Sequence, residues 1–350
     1  MNIVEALLFA IRREATQPVR LMEVCGGHTH AIRKFGIPGL LPGTVSLLSG
    51  PGCPVCVTHT GFIDQAIHLA RNYPVIITTF GDLIRVPGSD QSLETARANG
   101  ADIRLVLSPL QALTLAQTEK SKQVVFLGIG FETTAPSVAV TIKTALERGI
   151  GNFSVLSAHK IMPPAMAALV NHQPNLDGFI CPGHVSTITG SAIYEFLAQD
   201  HGIPCVISGF EASDILESIL LLIRQINSHQ PKVEIQYRRA VKMEGNLKAL
   251  EIMHEVFVLR DDWWRGLGII PKSGLIPDGK YAGFDTLQRF NLPEFPDTGN
   301  RGCRCGDILR GLITPPECTL YGKTCTPDSP AGACMVSSEG TCQAFYRYQN

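Results

Sequence analysis

Charge is scarce in this chain. Asp, Glu, Lys and Arg make up 17% of its 350 residues, against roughly 25% in an average soluble domain, while the apolar share of 45% is ordinary. Few charges beside ordinary apolar content point to extensive buried surface, part of it covered by a partner. The two signs nearly cancel, leaving a formal net charge of -1, and no stretch gathers Lys and Arg into a stripe. That argues against nucleic acid as a partner, because phosphate binding needs clustered cations. A bilayer-spanning run is missing too: Ile215 to Ile226 is too short and too charged, so no membrane partner is expected. At the N-terminus, MNIVEALLFAIRREATQPVR lacks a basic leading region and a small-residue cleavage site, and Glu5 interrupts its apolar stretch. Ile3, Leu7, Ala10 and Ile11 fall on one helical face, which predicts an amphipathic helix. A soluble, cytoplasmic protein is the expectation. In that compartment ordinary thiols stay reduced, so clustered cysteines point to metal or redox chemistry rather than structural disulfides.

The length allows two or three domains and a large core. Apolar strands alternate with helical segments, which predicts parallel βαβ units and an α/β fold. Similar layouts occur twice. VRLMEVCGGHTHAI (19–32) resembles VVFLGIGFETTAPSV (124–138), GTVSLLSGPGCPVCVTHTGFIDQAI (43–67) resembles DGFICPGHVSTITGSAIYEFL (177–197), and YPVIITTFGD (73–82) resembles IPCVISGFEA (203–212). An internal duplication is therefore expected, giving two similar parallel-sheet domains near 19–118 and 119–228. After His229-Gln230-Pro231 the texture changes, and from 290 onward long regular periodicity is absent. Residues 229–350, with the N-terminal helix of 1–18 packed against them, are expected to form a third, irregular, cysteine-rich domain.

In doubly wound α/β domains, ligands bind outside the carboxyl ends of the strands, where CGGHTH, PGCPVC, GDLIRVPGS, GFETT and CPGHVST all fall. Cys53 and Cys56 form a C-x-x-C pair, a spacing that closes a disulfide or holds one metal, and a helix N-terminus there favours thiolate. Buried small residues in a proline-rich turn are the plain alternative. A zinc half-site is another, but no second C-x-x-C completes a ribbon. Cys25 alone reads as a buried apolar residue. Gly26 and Gly27, which let backbone amides approach a bound group, and the imidazoles of His28 and His30 raise it to a candidate ligand for a soft metal. Glu132 stands where a helix is expected to begin, with Thr133 and Thr134 as caps, and a carboxylate there is favourable without any further role. His184 occupies the corresponding turn of the second copy. Asp82 and Arg85 read as a pair.

The tail holds Cys303, Cys305, Cys318, Cys325, Cys334 and Cys342, six of the eleven cysteines. Spacings of 14, 6 and 16 intervening residues join Cys303, Cys318, Cys325 and Cys342. Four thiolates from an irregular Gly- and Pro-rich segment suit an iron–sulfur cluster or tetrahedral zinc. The wide spacing fits neither the common ferredoxin patterns nor a zinc ribbon, so the pattern itself leaves both open. Two cysteines beyond a four-ligand site invite redox work beside it.

Taken in order, CGGHTHAI, GPGCPVC, FGDLIRVPG, GFETTAP, CPGHVSTITG and GACMVSSEG resemble the HypD family of [NiFe]-hydrogenase maturation proteins. The resemblance runs from about residue 19 to the C-terminus, with no departure in the cysteine motifs. It implies a cytosolic protein with a [4Fe-4S] cluster on tail cysteines. It also implies a complex with a HypC-type chaperone, the scaffold on which an Fe(CN)2CO group is assembled. Cyanide would come from a HypE-type donor, and the hydrogenase large subunit would be an indirect partner. Cys25 would ligate the iron together with a cysteine of the chaperone, with His28, Glu132 and His184 as further candidate catalytic residues. Cys53 and Cys56 would be the redox pair. The 14–6–16 spacing would select Cys303, Cys318, Cys325 and Cys342 for the cluster, with Cys305 and Cys334 as substitutes. Two rivals stand beside a scaffold with redox function: an iron–sulfur-dependent thiol–disulfide oxidoreductase acting on proteins, and a structural zinc protein.

Overall fold

A computed structural model describes residues 2–172, 176–299 and 302–348. The described residues form eleven strands: β1 (Val19–Glu23), β2 (Val45–Ser49), β3 (Val75–Thr79), β4 (Ile103–Leu105), β5 (Gln123–Gly130), β6 (Phe153–His159), β7 (Gly178–Pro182), β8 (Cys205–Ser208), β9 (Val233–Ile235), β10 (Phe257–Trp264) and β11 (Gly268–Pro277). Five of them make one parallel sheet in the order β2-β1-β7-β8-β9, and four make another in the order β4-β3-β5-β6. β10 and β11 pair as an antiparallel hairpin. The expected α/β class with parallel sheets is what the chain adopts.

The division into segments differs from the expectation. The chain builds β1 and β2, leaves to build the whole second sheet, then returns for β7 to β9. A boundary at 118/119 would cut the second sheet between β4 and β5 and part β1 from its neighbour β7. Each sheet, counted in its own chain order, has its first four strands in the order 2-1-3-4. The segments read as copies do not share places in that order, because β1 is first in its sheet whereas β5 is third in the other. The N-terminal helix Ile3–Glu14 also packs elsewhere than expected. Its Leu8 and Ile11 join Ile215, Ile219 and Ile223 of helix Ala212–Ser228 on the outer face of the first sheet, and Glu14 pairs with Arg224 at 2.8 Å.

The period of two along each strand explains where the core lies. On the first sheet Leu21, Ile180 and Val206 face the outer helices, while Met22, Phe179, Cys181 and Ile207 face inward. On the second, Ile76, Val124 and Phe126 face outward, while Ile77, Val125 and Leu127 face inward. Both inward faces belong to one core, which the tail also enters through Cys305, Ile308, Cys334 and Cys342. The tail is held over the carboxyl ends of the sheets. Helix Ala333–Val336 packs on helix Pro54–Val57, and helix Thr341–Arg347 packs on helix Gly26–Lys34. Arg85 does not stay with Asp82 as expected; its Nη2 donates to the carbonyls of Pro327 and Asp328 in the tail at 2.6 and 3.2 Å.

The hairpin is tied to the second sheet by a buried ion pair. Lys160, just after β6, donates to Asp262 Oδ2 at 2.8 Å and to the Trp263 carbonyl at 2.6 Å. Removing one member strands the other charge in the core. We expect Asp262→Ala to lower unfolding stability by about 3–5 kcal/mol, read as a shift in the denaturant midpoint; a midpoint within error of the parent would show that the pair does not anchor the hairpin.

Candidate thiol and metal site

The order 2-1-3-4 reverses direction between the first and third strands, and that reversal opens a crevice at the carboxyl edge. In the first sheet it lies between β1 and β7, so the loops entering it are Cys25-Gly26-Gly27-His28 and Pro182-Gly183-His184. In the second it lies between β3 and β5, bringing Gly81–Arg85 beside Phe131–Thr134.

Cys25 is the N-cap of helix Gly26–Lys34, with extended backbone at φ -146°. Burial, with Glu339 adding to it, pushes the thiol up to about 12, while the nearby amides of His28 and Gly27 oppose the shift. Without a cation at the sulfur Cys25 therefore stays protonated, and binding a metal would displace that proton. Glu23 holds the loop from below. Its carboxyl accepts the Cys25 N–H at 3.1 Å and the Thr29 hydroxyl at 2.5 Å, and burial raises it to about 8.

The C-x-x-C loop lies directly against Cys25. The Gly26 N–H donates to the Gly52 carbonyl at 2.9 Å, and a Cβ on Gly52 would collide with the Cys25 backbone. Cys53 and Cys56 are joined as a disulfide, with Cα atoms 5.2 Å apart. Cys53 is the N-cap of the one-turn helix Pro54–Val57, its sulfur accepting the Cys56 N–H at 3.2 Å. Both are buried.

His28 and His184 sandwich Phe210, with ring centroids 4.6 and 4.0 Å from it. His28 Nε2 lies 3.1 and 3.0 Å from the carbonyls of Ser208 and Gly209. Two acceptors require it to be the protonated nitrogen, and Nδ1 is then a buried lone pair without a partner. Burial lowers this imidazole to about 4, so it is neutral at physiological pH. His30 points the other way and meets the Tyr348 hydroxyl at 3.2 Å.

Glu132 departs from the helix-start role. Helix Ala135–Glu147 begins three residues later, with Thr134 at its N-cap making no side-chain capping bond. Glu132 Oε1 instead accepts the N–H of Met162, the first residue of the neighbouring helix Met162–His172, at 2.9 Å. Its Oε2 is buried without a partner, and burial raises the carboxyl to about 7.

In the tail, Cys303 and Cys305 sulfurs lie 3.2 Å apart, and Cys334 is hydrogen-bonded to Cys305 and Cys342, which pull it down to about 5. Cys325 accepts the Ala331 N–H at 3.3 Å and lies within the field of Cys303 and Cys305. A Cβ on Gly332 would stand 2.6 and 2.7 Å from the Cys303 and Cys305 sulfurs, so only glycine fits against them. The sulfurs in mutual contact thus include Cys305 and Cys334. Cys318 is buried and enters no such contact among the described residues. No group of three or more His, Cys, Asp or Glu side chains among the described residues is set to hold a metal ion. The soft thiols gathered around Cys305 are donors of the type that an iron–sulfur group takes.

A family model described as HypD, hydrogenase formation hypA family, matches residues 2–349. The chain is 48% identical to hydrogenase maturation factor HypD2 of Bradyrhizobium diazoefficiens, over 99% of this chain and 94% of that protein. It is 47% identical to hydrogenase maturation factor HypD of Azotobacter vinelandii, covering 98% and 93%. To HypD of Escherichia coli K12 it is 45% identical, covering 96% and 90%. This chain belongs to the HypD family. It is accordingly a hydrogenase maturation factor, and no described helix is long and apolar enough to cross a membrane.

Three residues of the HypD site were not singled out from sequence: Glu23, Phe210 and Glu339. Glu23 had a signal, since an acid in the apolar run before Cys25 must find partners when buried. Glu339 lies in the GACMVSSEG motif, but only the fold sets its Cβ against Gly26.

Glu132 gives a pH test. The folded chain keeps this carboxyl neutral up to about pH 7, whereas the unfolded chain ionises it above about 4.5. Stability from this residue is full below the lower value, falls as pH rises between the two, and is level above the higher one. We expect Glu132→Gln to raise stability at pH 8 by up to about 3 kcal/mol and to change little at pH 4. Denaturant midpoints at both values check this, and an equal effect at the two would remove the buried acid as the cause.

Proposed function

We propose that this HypD-family chain, with a HypC-type chaperone, forms the scaffold on which an Fe(CN)2CO group is assembled in the cytoplasm. A HypE-type donor supplies cyanide, and the hydrogenase large subunit is the indirect recipient. The observation that carries this reading is the backbone contact between Gly52 and Cys25, which sets a single thiol beside a C-x-x-C pair in a crevice closed by the tail.

In this reading Cys25 holds the iron cargo as a thiolate, with a chaperone cysteine as a second ligand. Low-spin iron carrying cyanide and carbonyl is soft, and thiolate suits it. The Gly27 and His28 amides stabilise charge on the sulfur. The buried, neutral His28 and the Phe210 ring stacked on it line one wall of the crevice, with His184 exposed at its outer edge. Cys53 and Cys56 take up two electrons and two protons on going from disulfide to dithiol. Cys303, Cys318, Cys325 and Cys342, or a set in which Cys305 or Cys334 substitutes, would hold a [4Fe-4S] cluster. Bound there, such a cluster supplies electrons one at a time. Helix Ala333–Val336 against helix Pro54–Val57 is the short route from the tail to the pair. The rival reading, a thiol–disulfide oxidoreductase acting on proteins, needs an accessible sulfur, whereas Cys53 and Cys56 are 3% and 0% exposed.

Two measurements test the proposal. In the anaerobic complex with the chaperone, infrared cyanide and carbonyl bands on iron are expected for the parent chain and lost in Cys25→Ala, with the cluster retained. Bands that survive would put the iron elsewhere. Cys342→Ala is expected to lose the brown chromophore together with iron and acid-labile sulfide, and an unchanged spectrum would reassign that ligand.

A further inference from the structure

The loop that holds His28 is itself held from the far edge of the first sheet. β8 ends at Ser208, and the carbonyls of Ser208 and Gly209 both accept from His28 Nε2. Two successive carbonyls turned to one N–H need a shaped turn, and neighbouring side chains shape it. The Gly209 N–H donates to Gln236 Oε1 at 3.0 Å. Gln236, just after β9, donates through its own Nε2 to Asp214 Oδ1 at 2.9 Å. Asp214 lies in the first turn of helix Ala212–Ser228 and also accepts the Glu211 N–H at 3.2 Å. A Cβ on Gly209 would stand 2.2 Å from Asp214 Oδ2, so only glycine admits the carboxylate there.

Arg239 closes the network. It donates to both oxygens of Asp214, and its guanidinium lies 4.6 Å from the centre of the Tyr237 ring. Tyr237 meets Phe210 edge-on at 5.9 Å, and Phe210 is the ring on which His28 stacks. Segment 236–239 thus grips His28 twice. One grip reaches Nε2 through Gln236 and Gly209, and the other reaches the ring face through Tyr237 and Phe210. The proton of a neutral imidazole sits on the nitrogen whose surroundings supply acceptors, and Nδ1 meets no partner among the described residues. A group arriving at Nδ1 therefore meets an acceptor and no donor.

We propose that Gln236, Asp214 and Arg239 are positioning residues for His28, fixing the two carbonyls that hold its Nε2–H and so presenting Nδ1 as a bare acceptor. None of the three touches the thiol site; they act through the Gly209 backbone and the Phe210 ring. His28 stands in the first turn of the helix that Cys25 caps. Beside an iron cargo there, its imidazole accepts a hydrogen bond from a water or a protonated ligand and gives none. That consequence rests on the scaffold reading, whereas the tautomer needs no metal.

Nitrogen NMR of the full chain labelled with 15N-histidine reports which nitrogen of each ring carries the proton, and His28→Gln assigns the His28 signals by their loss. We expect the parent to hold the proton on Nε2; a proton on Nδ1 in the parent overturns the proposal. Gln236→Met keeps the side-chain length and removes both hydrogen bonds. It is expected to raise the Nδ1–H fraction of His28 about tenfold, and an unmoved fraction overturns the proposal. The Arg239 side chain is half exposed, so its variants test the same network from the surface. Arg239→Ala should shift the fraction in the same direction, and Arg239→Lys, which keeps a cation for Asp214, should recover most of that shift. If Gln236→Met does not fold, Arg239→Ala decides, and a tautomer unmoved there overturns the positioning role. A tautomer that shifts as expected, in a chain whose chaperone complex shows no cyanide bands, supports the positioning role and removes the scaffold reading alone.

Discussion

The contact between Gly52 and the Cys25 backbone is the constraint on which the rest of the site depends. Two loops from adjacent parallel strands, β1 and β2, can approach this closely only if one residue has no side chain, and Gly52 is that residue. Its carbonyl then accepts the Gly26 N–H. One hydrogen bond and one missing Cβ bring the lone thiol and the C-x-x-C pair together. Because both loops leave the same edge of one sheet, the contact is held by the ladder Val19–Glu23 with Val45–Ser49 behind it.

Electrostatics around this contact follow from scarcity of charge. Glu23 and Glu132 are fully buried carboxyls whose ionised forms are disfavoured, and each accepts a backbone N–H near a helix start. Each acts as a hydrogen-bonding strut, Glu23 in its neutral form and Glu132 with its charge held back until about pH 7. His28 is likewise neutral, held between two carbonyls. A crevice lined in this way offers little fixed charge of its own, so an incoming cation at Cys25 would meet mainly a thiol and the backbone amides.

The tail acts as a lid made of sulfur. Glycines 306, 332 and 340 allow its turns to pack against the hairpin, the Cys303 and Cys305 sulfurs and the Cys334 backbone respectively. Such packing leaves Cys334 and Cys342 in the same core as both inward sheet faces. Burial of this kind suits chemistry that must be kept from water and from stray oxidants. A thiol pair that trades disulfides with protein partners would be poorly served by it.

Much of the fold was legible in the order of residues. Alternation of apolar runs and helical segments implied parallel strands, and short-range stereochemistry is enough for that. The rule that loops gather at the carboxyl ends of parallel strands put Cys25, Cys53 and His184 after strands of the first sheet and Glu132 after a strand of the second. Cysteine content and the six motifs identified the family. Tertiary structure alone decided how the strands are shared, since β1 and β5 are equally apolar runs and nothing local says which sheet each joins. It alone turned Arg85 to the tail, set Glu132 on the Met162 amide, and brought Cys305 and Cys334 into the sulfur group. Each of these is a contact between residues far apart in the chain. Such contacts are chosen by the packing of a shared core, whose free energy no single segment carries.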